Sequence, residues 1–283
     1  MVDVEASGSA EAGSARGHSD DEARFARFIG LFVRRFKDRA LLDGVDSRES
    51  HRLYVFKYFA KTFTNATGIN ARHWNWYRRL KPILALPRGA RVLDYGGGYG
   101  MDSLFLASCG YDVTLFEVSP HHLAIARRLA SELEAVAGPL ALRFAQGTPA
   151  TDAPPNVEPQ DAVLLDEVAH HIEPPARLFA RCAAILRPRG SLFLLEPSFW
   201  SPLVQGYFWK VRGFETTRAM VDEITGAPYL YGNEHIRPRH RWTALAESAG
   251  FTLRDTAFIG ALASVPLLRD VTSAHVTLRF ERR

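Results

Sequence analysis

Two hydrophobic periods divide the chain. In the segment EARFARFIGLFVRRF (22–36), Phe25, Phe28, Leu31 or Phe32, and Phe36 recur at three- and four-residue intervals, which predicts an amphipathic helix. The segment NARHWNWYRRLKPILAL (70–86) repeats that spacing with Trp74, Tyr77, Leu80 and Leu84, and Pro87-Arg88-Gly89 closes it. From Arg91 the pattern changes to short apolar runs: RVLDY (91–95), DVTLFEV (112–118), LALRFAQ (140–146), DAVLLD (161–166) and SLFLLEP (191–197). Helical stretches lie between the early runs, and the second of them opens on Ser119 and Pro120, the residue types of an N-cap and first helical position. Runs that are apolar throughout, rather than alternating, belong to strands buried on both faces. With helices between them they predict a parallel sheet of right-handed βαβ units, a doubly wound α/β domain over 88–283.

Two segments interrupt this rhythm. GTPATDAPPNVEPQ (147–160) is proline-rich and aperiodic, so it reads as a loop in place of a crossover helix. The stretch 198–240 is too long for a plain connection and is expected to be an insertion with its own helices. The organisation is therefore a disordered tail (1–21), a helical cap (22–87) and the α/β domain (88–283).

Composition changes this picture little. The 283 residues are 47% hydrophobic and 23% charged, an ordinary globular balance, and a net charge of +4 carried mostly by arginine makes no strong case for a polyanionic partner. Cys109 and Cys182 stand apart with no CxxC or nearby histidine spacing, so neither a disulfide framework nor a metal site is expected. There is no basic-then-apolar leader and no apolar run long enough to span a membrane, and the expectation is a soluble cytoplasmic protein.

The chemistry concentrates at the end of the first run, where Asp94-Tyr95 leads into Gly96, Gly97, Gly98, Tyr99 and Gly100. A dinucleotide fingerprint needs a third glycine where Met101 stands. A Tyr-x-x-x-Lys pair is missing too, which argues against NAD chemistry. The spacing is instead acidic-x-Gly-x-Gly-x-Gly, and with it the region from about 90 to 260 resembles the class I S-adenosylmethionine (SAM)-dependent methyltransferases. LRPRGSLFLLEP is similar to that family's L(R/K)PGG turn into strand five. The resemblance implies a Rossmann-like, mostly parallel seven-stranded sheet and SAM as cofactor.

It also implies site residues. Asp94, Gly96, Gly97, Gly98 and Gly100 form the cofactor loop. Glu117, with Val118 beside it, ends the second run within the roughly 20-residue interval of ribose-binding acids, and a diol suits a carboxylate with two acceptor oxygens. Gln146 and Gly147 stand where the family often offers an acid to the adenine, and an amide can both donate and accept there. Asp166, Glu167 and Val168 follow the fourth run, at the wall facing the departing methyl group.

In-line methyl transfer is served by alignment, with a base needed only when the nucleophile must lose a proton. His171 is the first choice for such a base, with His170 pointing elsewhere, while His235, His240 or no base at all stay open. Trp200, Tyr207, Phe208, Trp209, Phe214, Tyr229 and Tyr231 suit an aromatic or apolar small-molecule acceptor, or form the insertion's own core. The (D/N)PP(Y/F/W) motif of base-flipping amino methyltransferases is not found after the fourth run, where Asp166-Glu167-Val168-Ala169 stands, and this disfavours nucleic acid. Protein methylation and non-catalytic SAM binding are the other readings carried forward.

Overall fold

The structure, a computed structural model, describes residues 20–31, 71–147, 157–213, 215–221, 228–232, 234–260 and 262–283. Of the tail expected over 1–21, residues 1–19 lie outside them while 20 and 21 begin a helix, and most of the loop expected over 147–160 lies outside them as well. The chain divides into two compact units, Met1–Tyr77 and Arg78–Arg283. In the first, helix α1 (20–31) buries Phe25, Phe28 and Ile29. The Phe25 ring meets Trp76 edge-on at 5.1 Å and Tyr77 at 5.2 Å, so the spacing read from the sequence is the packing face. Residues 32–36, the end of that predicted helix, are not described.

Helix α2 (Ala71–Leu84) carries the chain across the unit boundary, and its second half buries Leu80 and Ile83. The second unit then follows in order: β1 (Arg91–Tyr95), α3 (Met101–Ser108), β2 (Asp112–Glu117), α4 (Pro120–Ala137), β3 (Leu142–Gln146), β4 (Gln160–Asp166), α5 (Pro175–Ile185) and β5 (Leu186–Pro197). After these come α6 (Pro202–Arg212), β6 (Thr217–Val221), β7 (Pro228–Gly232), α7 (Arg239–Ser248), β8 (Phe251–Gly260), the short α8 (Arg269–Thr272) and β9 (Ser273–Arg282). Ser119 caps α4 as its sequence position predicts, its Oγ accepting from the His122 N–H at 3.3 Å.

Seven strands form one sheet in the order β3-β2-β1-β4-β5-β9-β8. The first five are parallel, and β9 runs antiparallel to both β5 and β8. Central β1, β2 and β4 are buried almost throughout, whereas edge β3 is half-exposed because only one neighbour covers it. One face packs against α5 and α7, where Phe179 and Trp242 meet at 6.2 Å and close over Leu165, Leu194 and Phe280. Burying each such side chain stabilises the fold by about 1.5–3 kcal/mol. Both cysteines are buried and outside any disulfide, and burial pushes the Cys182 thiol up to about 12.

Two details differ from the pattern read in the sequence. The insertion contains α6 and then an antiparallel ribbon, with Thr217 opposite Gly232 and Val221 opposite Pro228, so only part of it is helical. Its short segments TRAMV and PYLYG are rich in β-branched and aromatic residues, which suit a pleated ribbon. Strand β5 starts at Leu186, not Ser191, because Leu186 pairs with Gln160 ahead of an irregularity in the ladder. Arg189 supplies the turn with φ +63°, the conformation a glycine would take more easily.

Candidate active site

The carboxyl ends of the five parallel strands lie on one edge of the sheet, and each strand brings a polar acceptor there: Asp94, Glu117, Gln146, Asp166 and Glu196–Pro197. Strand order reverses between β1 and β4, and a crevice at such a switch point is where open α/β sheets bind ligands. Antiparallel β9 adds His275, which pairs with Pro197 at the same edge.

The loop from β1 to α3 is shaped by its glycines. Gly100 has φ +76°, and a Cβ there would lie 2.6 Å from Leu115, so α3 can sit this close to β2 only with hydrogen at that position. Gly98, at φ +54°, differs: a Cβ there would meet nothing within 4 Å. Among the described residues, no packing demands that glycine. Beneath the loop Asp94 is buried, accepts from Ser103 Oγ at 2.6 Å, and lies under Gly97. Burial, reinforced by the nearby charges of Asp102 and Glu117, raises its carboxyl to about 7. Tyr95 turns inward to pack on Phe116 at 4.9 Å, and Tyr99 lies against His122 at 4.5 Å.

Glu117 is clasped by backbone. Its Oε1 accepts from the N–H groups of Val118 and Ser119, both at 2.8 Å, and its Oε2 accepts from Gly98 at 2.9 Å. Burial opposes its ionisation, but His122 and the donors on Ser119 and Gly98 outweigh this and hold the carboxyl below its usual range. A carboxylate has about four lone-pair sites. With three in use, one acceptor position is left for a ligand hydroxyl. Gln146, opposite Glu117 in the ladder, has an exposed side chain; Gly147 is buried and donates to the Glu117 carbonyl at 2.9 Å; Val118 is exposed.

The turn after β4 is held by charge. Arg79, from the second half of α2, donates Nη2 to Asp166 and Nη1 to Glu167, each at 2.6 Å, and His275 Nε2 reaches Glu167 at 2.7 Å. Glu167 has φ +56°, a conformation that non-glycine residues adopt rarely and that needs surrounding support. Burial works against its charge, yet Arg79 and His275 keep Glu167 ionised well below the usual carboxylate range. For Asp166, burial wins over Arg79, and with Asp102 and Glu167 adding repulsion its pKa rises well above normal. One guanidinium thus faces two acids, one charged and one favouring its proton. Val168 leans back on the glycine loop, where a Cβ on Gly96 would come within 2.7 Å of it.

Beyond Val168, a single 3₁₀ turn (Ala169–His171) presents the histidine pair. His170 is buried between two acids: Nδ1 is 2.6 Å from Glu196 Oε2, and Nε2 is 3.3 Å from Glu234 Oε2. Burial disfavours its charge, but Glu196 and then Glu234 raise its pKa to about 10. His171 is exposed, with its ring 4.1 Å from that of His170. Glu196 also accepts from the Ala169 N–H at 3.0 Å, and the His235 N–H donates to the His170 carbonyl at 2.8 Å, which anchors the neighbouring Glu234. His235 lies near Glu173 at 3.7 Å, and His240 is exposed on α7. Trp200, Tyr207 and Trp209 are more than half exposed, so they do not form a core of the insertion. Phe214 and the side chains of Tyr229 and Tyr231 lie outside the described residues.

A family model described as a methyltransferase domain matches residues 71–256. The chain belongs to this family, the class I SAM-dependent methyltransferases. Among curated relatives, the ubiquinone biosynthesis O-methyltransferase of Aliivibrio fischeri (strain MJ11) is 27% identical over 161 residues, 57% of this chain and 64% of that protein. The enzyme of the same description from Xanthomonas axonopodis pv. citri is 32% identical over 108 residues, 38% and 43% of the two chains. The chain thus spans about half to two thirds of these relatives' length. A SAM-dependent methyltransferase from Methanosarcina mazei shares the fold at TM-score 0.51 and 16% identity, over 70% of this chain and 94% of its own. A glycopeptide N-methyltransferase complexed with SAM does so at 0.50 and 16%, over 74% and 94%. Among the described residues, no helix is long and apolar enough to cross a membrane.

The cofactor of this family fits the residues present. Open space above Gly98 gives the loop a cradle that a side chain would fill, and Glu117 keeps one acceptor site beside it. Sequence reasoning missed Arg79, Glu196, Glu234 and His275. Glu196 had a local signal, an acid at a strand end like Asp94 and Glu117. The others had none.

Proposed function

We propose that this methyltransferase transfers the methyl group of SAM to a small-molecule acceptor, with oxygen as the atom methylated. The observation that carries the reading is the loop Asp94–Gly100, whose Gly98 is free of internal packing and faces open space beside Glu117. Bound SAM supplies an electrophilic methyl on sulfur. The chain's own part is to bind and align. Glu117 takes a ribose hydroxyl with its remaining lone pair, and the first N–H groups of α3, which have no partner within the helix, take a carboxylate. Gln146 and Gly147 flank the adenine end, and Asp166, Glu167 and Val168 form the wall on the methyl side. The two curated relatives, both named O-methyltransferases, favour oxygen. His171, the exposed member of the pair, is the candidate to receive the acceptor's proton, since His170 is committed to two carboxylates.

Calorimetry tests this reading. The protein should bind SAM and its demethylated product, and Gly98→Val should weaken both at least about 100-fold, since the new side chain fills the cradle and L residues resist positive φ. Far-UV circular dichroism of the variant should stay native. NAD binding with no affinity for either SAM species would overturn the proposal.

A further inference from the structure

We propose that His170, His171 and Glu234 form a binding site for one divalent transition-metal ion of the zinc class on the acceptor side of the pocket. Each residue offers one donor atom, and the three atoms lie within 4.8 Å of one another. His170 Nε2 and Glu234 Oε2 are 3.3 Å apart. A tetrahedral ion with bonds of about 2.0–2.1 Å sets its ligands about 3.3–3.4 Å from each other, so this pair needs almost no movement to share one.

The surroundings are those of a ligand set. A metal-binding imidazole usually donates its second N–H to a carboxylate, which fixes the tautomer and aims the other nitrogen. Glu196 does this here: its Oε2 holds His170 Nδ1 at 2.6 Å while its Oε1 is pinned by the Ala169 N–H. Glu234 is fixed from both sides, its own N–H donating to the Thr216 carbonyl at 2.9 Å and the next N–H donating to the His170 carbonyl at 2.8 Å.

Two imidazoles and one carboxylate select zinc, cobalt, nickel or iron over magnesium or calcium, which prefer all-oxygen sites. Three protein ligands leave a fourth position open, as in catalytic rather than structural sites. His171 is exposed, which keeps the site within reach of solvent. An acceptor hydroxyl bound there gives its proton to solvent and keeps the electron pair on oxygen, because coordination lowers hydroxyl pKa values steeply, for zinc-bound water from 15.7 to about 7. With the ion bound, His171 serves as a ligand in place of the base role given above, and no free base is needed. This acceptor role rests on the methyl-transfer reading; the ion site itself does not.

The full-length protein, stripped with a chelator and dialysed, is titrated with Co²⁺ and then Zn²⁺ while SAM affinity is measured on the same samples. One equivalent of Co²⁺ should bind with the intense visible bands of a four-coordinate site, and Zn²⁺ should displace it. His171→Ala and Glu234→Gln should each weaken binding at least about tenfold, and Glu196→Gln about 10- to 100-fold. His171→Ala is the decisive variant, since an exposed ring can be removed without disturbing the core. Absence of a stoichiometric cobalt site, or equal binding by wild type, His171→Ala and Glu234→Gln, would overturn the site. Cobalt binding without SAM binding would uphold the site and overturn its role with the acceptor.

Discussion

The two halves of the pocket edge are built by opposite means. On the β1–β2 side, the edge is built from backbone: positive-φ glycines, N–H groups of Gly98, Val118 and Ser119 on one carboxylate, and a helix N-terminus. On the β4–β5 side it depends on side-chain charge: Arg79 between Asp166 and Glu167, and His170 between Glu196 and Glu234. Backbone donors are fixed by the path of the chain and present one constant surface, which suits a cofactor that does not vary. Side-chain networks can be altered by single substitutions and can hold protons or ions, which suits a half that must meet an acceptor and manage its proton.

The sharpest way to break this contrast is to remove the cation on which the charged half turns. Arg79→Met keeps an unbranched apolar stem but leaves Asp166 and Glu167 without their guanidinium. Losing one partner of a buried ion pair costs about 3–5 kcal/mol, and that is the expected loss in urea denaturation. A loss under about 1 kcal/mol would show that Asp166 simply takes up a proton and that the network is no stiffer than a surface pair. SAM affinity should change far less than stability, because the glycine loop does not use Arg79.

The same contrast explains what the sequence reveals. Asp94, the glycines and Glu117 lie within a single strand–loop–helix–strand unit, so their order along the chain already gives their arrangement in space. The parallel strands were likewise legible, since full burial makes them continuous apolar runs. Strands β8 and β9 were not among those runs: β8 is only half-buried and its TLRDT stretch is polar. Arg79 sits on a helix whose apolar face alone has a period, and nothing local says that its opposite side reaches across to β4. Glu234 comes from a segment with no pattern of its own, and its pairing with His170 exists only after folding. Of the histidine pair, the sequence reading takes His171 as the candidate base and sets His170 pointing elsewhere; in the structure His170 is buried between Glu196 and Glu234 and His171 is exposed.

A second test asks whether the backbone half also relies on a trapped charge state. Asp94 has a pKa of about 7 when folded, above its unfolded value, so its protonated form binds more tightly to the folded state. The resulting stability is complete below the unfolded pKa near 4 and is lost as pH rises through about 7. Wild type should therefore lose stability between about pH 5 and pH 8 relative to Asp94→Asn, by an amount on the order of 2 kcal/mol. Parallel pH profiles for the two proteins would mean that the Ser103 hydroxyl and the approach of Gly97 keep Asp94 ionised, and that this half stores no proton.

The smallest expected effect falls on Glu117, and it separates two roles that the structure joins. Its carboxylate holds the loop by accepting three backbone N–H groups, and it has one lone pair left for a ligand. One hydrogen bond to a charged acceptor is worth about 1.5–3 kcal/mol when lost, and water entering the vacated space recovers part of it. Glu117→Ala should then weaken SAM binding by about tenfold, or 1.4 kcal/mol. Glu117→Gln separates the roles: its amide oxygen can still accept from Val118 and Ser119, while its NH₂ group faces the Gly98 N–H, donor against donor. If the Glu117→Gln variant melts like wild type but binds SAM as weakly as the alanine variant, Glu117 serves the ligand and the loop holds itself. If both variants bind normally and melt early, the carboxylate is a clasp for the loop, and the cofactor is recognised by backbone alone.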